Sequence, residues 1–245
     1  MSRNDLFLAI FVMAIWGFNF SMIKLGITDV HPLLATAARF SLAVIPAIFF
    51  IARPNVAWRY LLAYGAGMAL VALLILVSAT NGNITMQGLM FIMIAATCWT
   101  VMGMIVKASK TTQAFAFNVW GMLFAPIPLV LFAVALYGPE IIEQAVKVWD
   151  VSTTVAVVFQ AYPTTLFGYW VWNRLLIRYP LSTTAPLTLL VPVFALVSGY
   201  FMYDEVLGSA QILACVLFFV GIGLIVKPAG KGQTLSRYSP QVSKT

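Results

Sequence analysis

The fold is decided by the sequence AIWGFNFSMIKLGI at residues 14–27, which is echoed by AATCWTVMGMIVKA at residues 95–108. Trp16 and Lys24 in the first stretch are eight residues apart, and Trp99 and Lys107 in the second have the same spacing. Both stretches lie in long apolar runs, and the positions of these runs along the chain require them to cross a membrane in opposite directions. Internal repeats of inverted topology are typical of secondary transporters. The two stretches therefore predict an inverted repeat of membrane-spanning helices.

The composition supports this prediction, since 62% of the residues are hydrophobic and 9% are charged, and the mean hydropathy is +0.97. A bilayer core needs roughly 20 apolar residues per helical span. Windows of this length are found at residues 6–25, 33–52, 60–79, 87–106, 114–136, 153–173, 183–203 and 209–226. No run alternates as a barrel strand would, and no cleavage site follows the first run, which we expect to remain in the protein. The predicted fold is an all-α polytopic membrane protein with eight transmembrane helices.

The net charge of +7 is explained by topology. When the connectors are assigned alternately to the two sides, one side carries Arg3, Arg53, Arg59, Lys107, Lys110, Arg174, Arg178, Lys227, Lys231, Arg237 and Lys244. The other side carries only Lys24 and Lys147 as basic residues, together with six of the seven acids. Cytoplasmic loops are enriched in Lys and Arg. The charges therefore predict cytoplasmic N- and C-termini and a lipid bilayer, not nucleic acid, as the partner.

The repeat divides the chain into two parts. At an offset of 83 residues, Trp16 aligns with Trp99 and Pro46 falls within one residue of Pro128. We predict a first repeat at residues 1–80, a second at 87–227, and a disordered cytoplasmic tail at 228–245, which is polar and lacks an apolar period. Apolar residues at helical spacing between Tyr137 and Asp150 also predict a short helix on the membrane surface.

Three stretches carry a resemblance to a known family: AIWGFNFSMIKLGI, ATAARFSLAVIPAIFF at residues 35–50, and PLTLLVPVFALVSGYFMYDEVLGSAQILACVLFFVGIGLIV at residues 186–226. Together they are similar to the EamA-type branch of the drug/metabolite transporter superfamily. The most specific matches to the family pattern are Pro192, Glu205, Gln211 and Gly221, whereas Ala214 stands where the family usually has glycine. The first 55 residues are especially similar to bacterial inner-membrane exporters of O-acetylserine and cysteine.

The resemblance implies export of a small amino-acid-like metabolite, such as cysteine or O-acetylserine, across the bacterial inner membrane by alternating access. Members of the family have two halves of five helices, whereas this chain has three predicted spans followed by five, as though two crossings were removed around Tyr64–Met68. The alternative is therefore a shortened, non-transporting membrane subunit or regulator. A homodimer could supply the missing walls.

Arg39 is the first candidate for substrate binding, because a charge inside a span is costly and is usually retained for a partner or a pathway. Its guanidinium could hold a carboxylate bidentately, although a structural arginine bonded to carbonyls is an alternative. Trp16, Trp99, Tyr162 and Tyr169 could shape the pocket, with the tryptophans around an amine. Tyr162 and Tyr169 are seven residues apart and are predicted to share a helix face. Core packing is the alternative for the aromatic residues.

Glu205 is the candidate for proton coupling, because an acid at a helix C-terminus is unfavourable for the helix dipole; a solvated loop charge is the alternative. The sequence has no nucleophile elbow, metalloprotease motif or Walker motif. With one histidine and seven acids it also has few groups for metal or acid–base chemistry. We predict no enzymatic activity, no cofactor and no bound metal.

Overall fold

The computed structural model describes residues 1–78, 86–205 and 208–226, and the regular structure in these ranges is helical throughout. The first helices are α1 (Arg3–Gly26), α2 (Pro32–Ala47), α3 (Trp58–Ser78) and α4 (Met86–Ala108). They are followed by α5 (Ala114–Met122), α6 (Pro126–Tyr137), α7 (Glu140–Val148) and α8 (Val151–Phe159). A π-helical segment (Gln160–Phe167) leads into α9 (Gly168–Arg178), and α10 (Leu181–Thr184) leads into a 3-10 segment (Ala185–Leu189), α11 (Leu190–Tyr203) and α12 (Ser209–Val226).

Each of the eight predicted spans contains helix, and the all-α polytopic fold is confirmed. Within the described ranges, five segments are long and apolar enough to cross a membrane: Arg3–Gly26, Trp58–Ile75, Met86–Ala108, Ala114–Tyr137 and Ala185–Tyr203. The helix Pro32–Ala47 is apolar but shorter. The count of eight crossings therefore stays a prediction, as does the tail at residues 228–245, which lies outside the described residues.

Side-chain caps begin several of these helices. The Ser2 hydroxyl accepts a hydrogen bond from the Asp5 N–H at the start of α1, and His31 Nδ1 accepts one from the Leu33 N–H before α2. The Asp150 carboxylate accepts the Thr153 N–H before α8, and this hydrogen bond lowers the pKa of Asp150. Partial burial lowers the pKa of His31. Because caps satisfy amides that have no partner within the helix, these residues fix where the helices begin.

Helix α1 lies at the centre of the packing, against α8, α9 and α11. Gly17 permits its close crossing with α11, because a side chain at this position would overlap the Val191 carbonyl and the Ala195 amide. A little farther along, the buried Ser21 hydroxyl donates to Ser198 Oγ at 2.8 Å. The central helix of the fold therefore belongs to the first predicted repeat but packs mainly on helices of the second.

The buried side chains form two large clusters that a cleft separates. One cluster joins α1, α9 and the 3-10 segment, and the other joins α2 to α6. Since α3 packs on α4 and α2 packs on α6 and α8, helices of the two predicted repeats interleave. Helices of both predicted repeats therefore border the cleft.

Segments that were predicted to share a side of the membrane lie together. The segment from Ile27 to Pro32 faces α7, whose Ile141 and Ala145 are buried. At the opposite end, Asp5 at the start of α1 meets Tyr179 and Arg178 at the end of α9. The short helix predicted before Asp150 is confirmed as α7, while its position on the membrane surface stays a prediction.

Candidate functional site

A cleft with two lobes lies between the packed groups of helices. One lobe has a volume of about 330 Å³ and the other about 360 Å³. Four residues line both lobes and mark their junction: Arg39, Phe40, Met68 and Trp99. Ligand sites in proteins are concave, mostly apolar and provided with a few convergent polar groups. We therefore take this cleft as the candidate site.

Arg39 projects from α2 into the junction. Its guanidinium lies 4.5 Å from the centre of the Phe40 ring, and Nη1 donates a long hydrogen bond of 3.5 Å to Gln160 Oε1. Its Nε is buried and has no hydrogen-bond partner, and no carboxylate in the described part of the chain pairs with Arg39. Arg39 is therefore a partly buried cation with unused donors, which is suited to binding an anionic group.

The lobe of about 360 Å³ is the more polar of the two, and its three threonine hydroxyls share one feature. Thr164 donates its hydroxyl proton to Asn19 Oδ1, Thr165 donates to the Gln160 carbonyl, and Thr188 donates to the Ala185 carbonyl. All three threonines line this lobe. Since a hydroxyl has one proton and two lone pairs, each of these oxygens can offer only an acceptor to a ligand.

The π-helical segment explains how two of these threonines reach the lobe. Pro163 has no N–H to give to a hydrogen bond, and the segment from Gln160 to Phe167 adopts the wider π-helical turn. Such segments are frequent at functional sites. The result is that Thr164 and Thr165 are buried next to each other along the cleft.

Aromatic rings complete the polar lobe. Trp16 Nε1 donates a hydrogen bond of 3.0 Å to the Thr164 carbonyl, so that its N–H is not available to a ligand. The Trp16 ring lies 6.0 Å from Tyr169 and 5.7 Å from Trp172, and all three line the lobe. Gly168 lies directly against Trp16, so that a side chain there would collide with the indole. These contacts fix the ring orientations.

The smaller lobe is apolar. It is lined mainly by Ile23, Ile27, Pro32, Ala35, Val71, Ala72 and Ile75, with Thr36 and Gln160 as further polar residues. The lobe lies on the same side of Arg39 as the end of α1 and the loop that precedes α2. The cleft thus joins an apolar compartment to a polar one through a cationic junction.

The structure brings together four of the five predicted binding residues: Arg39, Trp16, Trp99 and Tyr169 all line the polar lobe. Trp99 is 50% exposed and closes the lobe only from one edge. Tyr162 is 37% exposed and lines neither lobe. The prediction that Tyr162 and Tyr169 share a face is wrong, because seven residues make two turns of an α-helix but not of the π-helical segment that intervenes.

Glu205 lines neither lobe and lies just after the end of α11. Its Oε1 is 2.7 Å from Lys24 Nζ, and both side chains are about half exposed. Lys24 also lies 4.1 Å from the centre of the Tyr203 ring, whose hydroxyl donates to the Ser21 carbonyl. The pair therefore joins the end of α1 to the end of α11.

Sequence reasoning missed Asn19, Gln160, Trp172 and the three threonines. An amide within the first apolar run is a signal that could have identified Asn19. Threonine is common in apolar helices, where its hydroxyl bonds to a carbonyl of the preceding turn, so the sequence alone gives no reason to select these three. Among the described residues, no group of three or more His, Cys, Asp or Glu side chains could hold a metal ion.

Comparison with known proteins identifies the chain. The model of the EamA-like transporter family matches residues 86–227. A probable amino-acid metabolite efflux pump of Salmonella typhimurium is 31% identical over 282 aligned positions, which cover 91% of this chain and 94% of that protein. The pump of the same description from Escherichia coli is 29% identical with the same coverage.

A more distant relative is an uncharacterized transporter of Archaeoglobus fulgidus, which is 26% identical over 141 residues, or 57% of this chain and 48% of that protein. The comparison with solved structures gives no match. Because 282 aligned positions exceed the 245 residues of this chain, the Salmonella protein has segments that this chain lacks. The family model matches more than half of the sequence, and the Salmonella efflux pump is similar over most of it. This protein is therefore a member of the EamA-like transporter family.

Proposed function

We propose that this protein exports a small amino-acid-like metabolite, such as cysteine or O-acetylserine, across the bacterial inner membrane, with both termini in the cytoplasm. The single observation that supports this most strongly is the position of Arg39. This cation lies at the junction of the two lobes, and its Nε has no hydrogen-bond partner. In this proposal the guanidinium holds the substrate carboxylate. Trp16, Trp99 and Tyr169 shape the pocket around the rest of the molecule.

Transport by alternating access requires that the cleft open first to one side and then to the other. Two polar contacts at opposite ends of α1 are suited to this role. At one end the Tyr179 hydroxyl donates to Asp5 Oδ2 at 2.6 Å, and at the other Lys24 pairs with Glu205. We propose that the two contacts open in turn while the rest of α1 stays packed on α11.

Glu205 is then the proposed coupling residue. Protonation of its carboxylate would remove the charge that holds Lys24, and the end of α1 at this side would be released. The variant Glu205→Gln should therefore export with a weaker dependence on pH than the wild type. A pH profile that is unchanged in this variant would exclude Glu205 as the coupling residue.

The experiment for the proposed function is cysteine and O-acetylserine export from cells that overproduce these metabolites. Expression of the protein should raise their concentration in the medium, and Arg39→Gln should abolish the increase. Arg59→Gln is the matched control, because Arg59 is exposed at the start of α3 and outside the cleft. Equal export by wild type and Arg39→Gln at equal protein levels would refute the proposed role of Arg39.

A second candidate function is a non-transporting membrane subunit, and the packing of α4 favours it. Only 12% of the residues in the apolar window of this helix are buried, and in the described part of the chain its main neighbour is α3. Such a helix has a large surface for lipid or for a second copy of the chain. A stable homodimer without export of any amino acid would support this candidate; a monomer that exports would exclude it.

A further inference from the structure

We infer that the cleft selects zwitterionic α-amino acids with uncharged, apolar side chains, with the ammonium group in the polar lobe and the side chain in the apolar lobe. This inference rests on the proposed function and on the same cleft. It assigns a role to Thr164, Thr165 and Thr188 as specificity-determining residues.

The polar lobe offers acceptors to an ammonium group. The three threonine hydroxyls already donate their protons within the protein, at distances of 3.1, 2.8 and 2.6 Å. These hydroxyls therefore offer acceptor lone pairs, and Trp16, whose N–H is already used, lines the lobe with its ring. An ammonium group has three donors and no acceptor. Acceptor oxygens and aromatic rings together are suited to a cation.

Arg39 determines where the carboxylate binds. Arg39 lines both lobes, and it is the one charged residue that lines the described part of the cleft. Its guanidinium still has unused hydrogen-bond donors. In an α-amino acid the carboxylate, the ammonium group and the side chain leave the same carbon atom in three directions. A carboxylate held at the junction therefore lets the ammonium enter one lobe while the side chain enters the other.

The apolar lobe receives the side chain. The walls of the apolar lobe include Ile23, Val71, Ala72 and Ile75, which give a charged side chain no partner. Each methylene that moves from water into such a lobe should improve affinity about fourfold. Cysteine and O-acetylserine would be accepted, leucine and methionine would bind more tightly, and aspartate and lysine would be excluded.

The test is inhibition of labelled cysteine exchange in proteoliposomes of the full-length protein, using unlabelled compounds as competitors. Leucine should compete better than alanine, and alanine better than aspartate. N-acetyl-leucine, which lacks the ammonium group, should compete at least tenfold more weakly than leucine. Equal competition by leucine, alanine and aspartate, or undiminished competition by N-acetyl-leucine, would overturn the inference and leave the proposed function intact.

Two variants test the lobes separately. Ala72→Phe should fill the apolar lobe, which should weaken competition by leucine at least tenfold while alanine still competes. Ala96→Phe is its control, because Ala96 lies on the exposed face of α4. Thr188→Val should weaken competition by leucine but not competition by N-acetyl-leucine. Thr97→Val is its control, because the Thr97 hydroxyl also donates to a carbonyl in its own helix. Uniform loss for all competitors in either variant would overturn the assignment of its lobe. If the wild type exchanged no amino acid at all, the proposed function itself would fail.

Discussion

The crossing of α1 and α11 at Gly17 gives a quantitative prediction for Gly17→Ala. A Cβ at this position would overlap Phe194 Cβ, and it would lie 2.7 Å from the Val191 carbonyl oxygen and 2.8 Å from the Ala195 amide nitrogen. Ordinary contacts begin near 3.4 Å, so the helices must separate by at least about 0.7 Å. Backbone atoms and a Cβ cannot turn away as the end of a flexible side chain can. Overpacking of this kind costs about 1–3 kcal/mol, offset by up to about 1 kcal/mol from the higher helix propensity of alanine.

Relative to Gly103→Ala, which gains the same helix propensity without the overlap, the free energy of unfolding should therefore be lower by about 1–3 kcal/mol, which corresponds to a Tm lower by about 2–12 °C for a chain of this size. Thermal unfolding of the purified protein in detergent, followed by intrinsic fluorescence, measures this decrease. Gly103→Ala is the matched control, because no atom lies within 4 Å of a Cβ built at Gly103. If Gly17→Ala were as stable as Gly103→Ala, the close crossing of α1 and α11 would be refuted.

Three further predictions concern the cleft and a cap. Tyr169→Ala should reduce export severalfold because Tyr169 lines the polar lobe, whereas Tyr162→Ala should export normally; the reverse order would contradict the placement of these tyrosines. Trp16→Phe removes the hydrogen bond to the Thr164 carbonyl and should lower the unfolding free energy by about 0.5–1.5 kcal/mol, while Trp58→Phe, away from the cleft, is the control. Asp150→Ala should lower Tm at neutral pH by removing the cap of α8. Since the pKa of Asp150 is lowered from 3.8, the stabilisation by this carboxylate is complete above that pH and is lost as the pH falls through the lowered pKa. The difference in Tm between Asp150→Ala and the wild type should therefore shrink as the pH falls through this pKa. A difference that is constant down to pH 2 would contradict the role of the charge.

Much of the architecture could be predicted from the sequence, because apolar length and loop charge are local properties. The apolar runs gave helices at each predicted position, and the short helix before Asp150 was recognised from its spacing. Helix interruptions were harder to foresee. The predicted span at 153–173 contains a π-helical segment, and no periodicity of apolar residues distinguishes that segment from an ordinary α-helix.

The candidate site was predictable where a residue is out of place in a membrane, as Arg39 is. It was not predictable where a common residue acquires its role through its partner. Thr165 is notable only because its proton goes to the Gln160 carbonyl, and this bond depends on the π-helical turn. Likewise, the pairing of Lys24 with Glu205 joins residues that are 181 positions apart in sequence. Such long-range contacts follow from helix packing, which one sequence does not reveal.

The most direct test of the account is amino-acid exchange in proteoliposomes, comparing leucine with leucinamide as competitors for the wild type and for Arg39→Gln. Leucinamide keeps the ammonium group and the side chain but lacks the carboxylate. We expect the wild type to prefer leucine by about 10- to 150-fold, the range for a charge-assisted hydrogen bond of 1.5–3 kcal/mol. In Arg39→Gln this preference should disappear. A preference for leucine that persists in the variant would contradict the claim that Arg39 binds the substrate carboxylate.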